Sequence, residues 1–167
     1  TDPQWVGNGD GDFNGDGNAD IFWHNTATGQ TSVWLMDGVT IIDSASLSTV
    51  GLTDQIDGVG DFDGDGKSDV LWRNMTSGEN TIWFMNGAGI AGSSSLETVV
   101  GDLRWSIVGV ADFNADGMAD IFWRFVAPGD GSDGMNAIWL MEGSEFVNQQ
   151  FLPAVSEAGW EVVGTLN

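Results

Sequence analysis

Short apolar runs bounded by Asp, Asn, Gly or Ser recur along this chain. Ile21-Phe22-Trp23, Val70-Leu71-Trp72 and Ile121-Phe122-Trp123 form one set. Ser32-Val33-Trp34-Leu35-Met36, Thr81-Ile82-Trp83-Phe84-Met85 and Ala137-Ile138-Trp139-Leu140-Met141 form a second. Each run is short, rich in β-branched and aromatic residues and apolar at consecutive positions, which predicts a strand covered on both faces. The copies come in the same order three times, so the chain reads as a repeat. A further strand precedes the first run of each copy, at residues 5–9, 56–60 and 105–110, and the copy at 5–9 is Gly-rich and weak. Turns with Gly at Asp37-Gly38, Asn86-Gly87 and Glu142-Gly143 close the third strand of each copy. Less hydrophobic fourth strands are expected near 44–50, 94–100 and 149–155, as suits an outer edge that must not pair with other chains.

Four strands per copy predict an all-β protein of three four-stranded propeller blades in a single domain over 1–167. The repeats span about 5–53, 54–104 and 105–159. A closing strand at 160–167, with Trp160 matching Trp105, copies the first strand once more. The third repeat is longer, because 19 residues separate Asp120 from Trp139 where 14 separate Asp20 from Trp34 and Asp69 from Trp83. The extra length falls in a Gly/Asp-rich stretch at 128–134.

Between the first and second strand of each copy lies an acidic loop of nine residues. Its side chains at positions one, three, five and nine are Asp12, Asn14, Asp16 and Asp20, then Asp61, Asp63, Asp65 and Asp69, then Asp112, Asn114, Asp116 and Asp120. Position six is Gly each time, and position seven, Asn18, Lys67 or Met118, offers its main-chain carbonyl. Oxygen donors at this spacing around a Gly turn predict a Ca²⁺ site, three per chain. An EF-hand would need Glu at position twelve and a helix beyond it; here that position is Trp23, Trp72 or Trp123, inside a strand. An Asp/Asn/Gly turn without metal explains one copy far better than three in one register.

Composition narrows the partners. The formal charge is −21, from four Lys+Arg against 25 Asp+Glu, and nucleic acid and membrane insertion are not expected of so acidic a chain. Nine Trp and nine Phe supply a core, and without Cys the metal loops are the available staples. No stretch reaches the ~18 consecutive apolar residues of a spanning helix.

The D-x-[DN]-x-D-G-x-x-D loop between two hydrophobic strands, three times over, resembles the FG-GAP-type (VCBS) calcium repeats of integrin-α-like β-propellers and propeller lectins. The resemblance implies a secreted or cell-surface protein, often sugar-binding or adhesive, and often appended to larger enzymes. Such families usually carry about six or seven blades, and three cannot close a ring. A homodimer forming a six-bladed ring is therefore expected, with the closing strand pairing into the partner's first blade.

Strand connectors alternate ends, so the end opposite the metal loops collects His24, Asn25, Arg73, Asn74 and Arg124 from the second strands and Trp5, Trp105 and Trp160 from the first. Two Arg and the lone His at one equivalent position, with Asn and Trp beside them, suit carbohydrate recognition. The same three residues equally suit neutralising carboxylates or cross-linking blades. Trp23, Trp72, Trp123, Trp34, Trp83 and Trp139 lie mid-strand and read as core. No nucleophile stands at a recognisable spacing from His24, so no catalytic residue is assigned. Three functions stay open: a carbohydrate-binding module or lectin, an adhesive or structural unit that binds protein, and a polysaccharide-degrading enzyme.

Overall fold

The computed structural model describes residues 4–96, 101–127 and 133–155, and among them there are twelve strands and no helix. The first sheet is β1 (Trp5–Gly11), β2 (Asp20–Asn25), β3 (Thr31–Asp37) and β4 (Thr40–Ser46). The second is β5 (Asp54–Gly60), β6 (Asp69–Asn74), β7 (Asn80–Asn86) and β8 (Gly89–Ser95). The third is β9 (Trp105–Ala111), β10 (Asp120–Phe125), β11 (Asn136–Glu142) and β12 (Glu145–Leu152). Each is an antiparallel meander in chain order. Registers repeat across the sheets: Phe22 lies opposite Val33, Leu71 opposite Ile82 and Phe122 opposite Ile138. The result is a propeller-like stack of three blade-shaped sheets.

The fourth strands begin earlier than their polarity suggests. Gly38, Gly87 and Gly143 take φ of 59°, 62° and 63°, which permits two-residue hairpins, so Asp37 pairs directly with Thr40, Asn86 with Gly89 and Glu142 with Glu145. The expected 44–50, 94–100 and 149–155 are corrected to Thr40–Ser46, Gly89–Ser95 and Glu145–Leu152. The stretch at 128–132, residues 97–100 and the expected closing strand at 160–167 lie outside the described residues.

The Gly-rich strand at 5–9 is also a full strand, Trp5–Gly11, and its glycines have a packing reason. The sheets approach one another along their first strands, β1 on β5 and β5 on β9. A Cβ on Gly9 would lie 2.8 Å from Val59 Cγ2, and one on Gly58 would lie 2.2 Å from Val110 Cγ2. Small residues let neighbouring backbones close up where the blades converge.

Two apolar layers hold the stack. Phe13, Phe22, Val33 and Leu35 of the first sheet pack on Val70, Trp72, Trp83 and Met85 of the second. Phe62, Leu71 and Ile82 of the second meet Val110, Ile121, Trp123, Trp139 and Met141 of the third. Each such side chain contributes about 1.5–3 kcal/mol when fully buried, so the layers between sheets carry the hydrophobic stabilisation.

Candidate functional site

Each acidic loop is folded by its own side chains. Asp12 Oδ1 accepts the N–H groups of Gly15 and Asp16, and its Oδ2 accepts Gly17 N–H. Asp61 and Asp112 repeat the arrangement. Asn14, Asp63 and Asn114 each accept the N–H two residues on, as do Asp16, Asp65 and Asp116. These turns need left-handed residues at positions four and six: Gly15 and Gly17, Gly64 and Gly66, then Ala115 and Gly117. In the second loop the carboxylates of Asp61, Asp63 and Asp65 offer oxygens within 4.8 Å of one another, a group that could hold a metal ion.

The remaining oxygen at position five shows what the loops attract. Asp16 Oδ2 accepts from Asn14 Nδ2 at 2.9 Å, Asp116 Oδ2 from Asn114 Nδ2 at 2.7 Å, and Asp65 Oδ2 from the Lys67 ammonium at 2.6 Å. The Lys67 ammonium stands in for a cation at the second loop. Its hydrogen bond holds the Asp65 carboxyl below the usual range, and the Asn18 N–H does the same for Asp16.

Position nine has a role that ligand spacing conceals. Asp20, Asp69 and Asp120 are buried, and each ties its loop to the third strand. Their Oδ2 atoms accept Phe13, Phe62 and Phe113 N–H at 2.9 Å, and their Oδ1 atoms accept Met36, Met85 and Met141 N–H at 2.8, 2.9 and 3.0 Å. Burial raises all three carboxyls, Asp69 to about 7, with neighbouring loop acids adding to the rise. A cation in the loop would offset both causes, because it favours the ionised form that burial and like charge disfavour. The donor set therefore fits a hard cation held by side-chain oxygens and the position-seven carbonyl. The recurrence of Phe at position two and Met sixteen or more residues beyond position nine was the available signal.

The loops are also joined to each other. The Asp12 carbonyl accepts Ser68 N–H at 2.7 Å, and the Asp61 carbonyl accepts Ala119 N–H at 2.6 Å. Phe13 and Phe62 carbonyls accept Gly87 and Gly143 N–H, at 2.7 and 3.0 Å, from the hairpins of the following sheet. The acidic loops and the β3–β4-type hairpins thus share one end of the stack.

At the opposite end the predicted ligand residues divide. His24 and Arg73 are 2% and 1% exposed and face inward between sheets. His24 lies edge-on to Trp72 with ring centroids 5.2 Å apart, and burial lowers its pKa. The Arg73 guanidinium sits 4.9 Å over Trp123 and donates to the carbonyls of Gly78 and Trp105 and to Asn80 Oδ1. These two residues link blades and present little to a ligand. Arg124 is half-buried and bonded to Asn136 and the Val155 carbonyl. Asn25 and Asn74 cap the turns that follow them, through Oδ1 to Ala27 and Thr28 and to Thr76 and Ser77. Trp5 is half-exposed at the start of β1, and Trp160 lies outside the described residues.

Asn74 and Trp105 do reach grooves. One, of about 340 Å³, lies where the link at 49–51 meets the second sheet and is lined by Asp54, Asn74, Glu79, Thr81, Trp72 and Trp83. The other, of about 220 Å³, lies against the third sheet and is lined by Trp105, Trp123, Trp139, Gln149 and Phe151.

Stacked four-stranded sheets linked by acidic loops define a propeller-like repeat protein. Residues 12–72 and 61–123 match the FG-GAP-like repeat, and the chain belongs to that family. Each match runs from one acidic loop through the next and ends inside the strand that follows it. No curated protein and no solved structure matches the chain.

Proposed function

We propose that this protein is a calcium-stabilised carbohydrate-binding module of adhesive type, built of propeller blades and working outside the cell. The observation that carries the metal half of this reading is the convergence of Asp61, Asp63 and Asp65 within 4.8 Å in a loop whose free oxygen already holds an ammonium. Calcium would be held at each loop by the oxygens of positions one, three, five and nine and by the position-seven carbonyl, where it would neutralise carboxylates that repel one another. Its part is structural.

The groove beside Asn74 supports the sugar half. Asp54, Asn74, Glu79 and Thr81 set carboxylate, amide and hydroxyl groups along it, which would meet the hydroxyls of a pyranose, while Trp72 and Trp83 form its largely buried floor. Among its lining residues Glu79 is exposed, and among the described residues its side chain is bonded only to Ser77, so Glu79→Gln leaves the core untouched. Glycan-array binding by the calcium-loaded chain, weakened several-fold in Glu79→Gln, is the expected result. Calcium-dependent stability with no glycan bound would transfer the function to a protein partner, the adhesive reading.

A further inference from the structure

We propose that His24 makes the junction between the first and second sheets acid-labile, so that the groove beside Asn74, walled by the link between these sheets, opens as the pH falls from about 7.5 to about 5.5. That the groove is the ligand site rests on the carbohydrate reading; the opening of the junction does not.

The chain supplies its own comparison. His24, Arg73 and Arg124 hold one position in three successive sheets, opposite Thr31, Asn80 and Asn136 of the third strands. Both arginines are held in place. Arg73 donates to Asn80 Oδ1, to the Gly78 carbonyl and, across the junction, to the Trp105 carbonyl, while Arg124 donates to Asn136 Oδ1 and the Val155 carbonyl. His24 is buried as deeply as Arg73, yet neither ring nitrogen has a hydrogen-bond partner among the described residues. The acceptors that Arg73 uses in its own sheet are engaged elsewhere in the first sheet. Gly29, in the place of Gly78, gives its carbonyl to Val50 N–H at 2.9 Å, and Thr31, in the place of Asn80, directs its hydroxyl to the Ser48 carbonyl at 2.7 Å. The link at 47–51 is thereby fastened to the residue opposite His24 and to the turn at Gly29.

A neutral imidazole fits this place and an imidazolium does not. The ring stands at 90° to Trp72, with centroids 5.2 Å apart. From the second sheet, the charged groups on this side are Asp54 and Glu79, which line the groove with Trp72. Strands β1 and β3 set Val6 and Thr31 opposite His24, and the link at 47–51 carries no charge. Asp54 attracts a proton to the imidazole, but its oxygens are already bonded to Asn74 Nδ2 and Gly51 N–H, at 2.7 and 2.8 Å. Burial outweighs that attraction and lowers the pKa of His24. A group whose pKa is lowered on folding contributes stability above its ordinary value of about 6.5, and that stability is lost as the pH falls through it. To take up a proton, His24 must reach water, and its cover is the link whose Thr49, Val50 and Gly51 wall the groove with Asp54 and Trp72. Lifting the link takes the groove apart. The junction between the second and third sheets is held by Arg73, which stays cationic throughout this range.

His24 is the only histidine of the chain, so its imidazole signals can be followed by NMR without ambiguity. In the calcium-loaded chain it should titrate below the ordinary value of about 6.5. Hydrogen exchange reads the opening. If only the open junction takes up the proton, the open fraction rises about tenfold between about pH 7.5 and 5.5. After correction for the intrinsic pH dependence of exchange, protection of the Leu47 and Val50 amides, bonded to Thr31 and Gly29, should fall by that factor. The Leu96 amide, bonded to Asn80 in the equivalent place of the next junction, should keep its protection. His24→Gln should remove the fall, and His24→Phe repeats the measurement with an apolar ring. Asp57 and Asp69 bind protons more tightly in the folded chain and act in the opposite sense on global stability, so the local comparison decides rather than the melting point. An imidazole titrating at or above its ordinary value, an equal fall at Leu96, or an undiminished fall in both variants overturns the proposal. Glycan-array binding separates the two readings: a junction that opens in acid in a chain that binds no glycan leaves the role of His24 standing while the carbohydrate reading falls.

Discussion

Ser68 donates its backbone N–H to the carbonyl of Asp12 at 2.7 Å, so the acidic loop of one sheet is hydrogen-bonded to the loop of the next with no side chain intervening. The bond places Ser68, position eight of its own loop, on the residue that opens the preceding one. Ordering one loop would therefore help order its neighbour, and ion binding at the two would be coupled.

The Lys67 ammonium approaches Asp65 Oδ2 to 2.6 Å and would compete there with a bound cation. Lys67→Ala should raise calcium affinity at the second loop several-fold, because the carboxylate no longer has to give up a charged partner. Asp65→Asn should lower it, and should also weaken binding at the first loop through Ser68. Calorimetric titration of both variants reads stoichiometry and affinity together. If each site sits at about a hundred times its dissociation constant, it adds ~2.7 kcal/mol to stability, so losses should appear in the melt.

Ala115 is the only non-Gly residue with positive φ among the described residues, at 64°, where the other loops have Gly15 and Gly64. An L-residue pays about 1 kcal/mol there. Ala115→Gly should stabilise the protein by about 0.5–1 kcal/mol, raising the melting temperature by roughly 1–4 °C. An unchanged or lower melt would show that the third loop is relaxed as it stands.

Gly58 leaves no space for a side chain beside Val110. Gly58→Ala should cost about 1–3 kcal/mol by forcing the second and third sheets apart. Val110→Ala in the same chain should restore part of that loss, since the Val110 Cγ2 methyl is the group struck. Additive losses in the double variant would mean the two residues are not in contact.

Burial lifts the Asp57 carboxyl to about 6, against the pull of Arg73, and that of Asp69 to about 7. Both bind a proton more tightly folded than unfolded. In the metal-free protein, stability is therefore greatest where they are protonated and falls as pH rises from about 4 through 6 to 7. Two pKa units on Asp57 correspond to at most about 3 kcal/mol. Thermal melts in EDTA should show a higher midpoint at pH 5 than at pH 7.5; the opposite slope would contradict the burial of these groups.

What could be read from the chain alone follows from the range of the interactions. The acidic loops were legible because their donors lie within nine residues and fold on one another locally. The second and third strands were legible because consecutive apolar residues leave no other place to go. Arg73 stayed between two readings, ligand contact and blade cross-link, because a basic residue at a strand end can be exposed, and the Trp123 ring that covers its guanidinium comes from a sheet fifty residues further on. Trp5–Gly11 looked weak for the same reason: glycine lowers strand propensity locally, and its compensation, the approach of Val59, is non-local. The outer strands were misplaced because a two-residue hairpin at Gly38 needs no polar stretch to announce it.

Val59 enters beside Gly9 and Val110 beside Gly58, in each case a branched side chain of the later sheet against bare backbone of the earlier. The stack therefore has a grain. A sheet turned over would set valine against valine at one boundary and glycine against glycine at the other, the first too crowded and the second hollow. Units can be added to such a chain or removed from it only whole and laid in the same sense, which makes the number of repeats, rather than their order, the variable that this architecture leaves open.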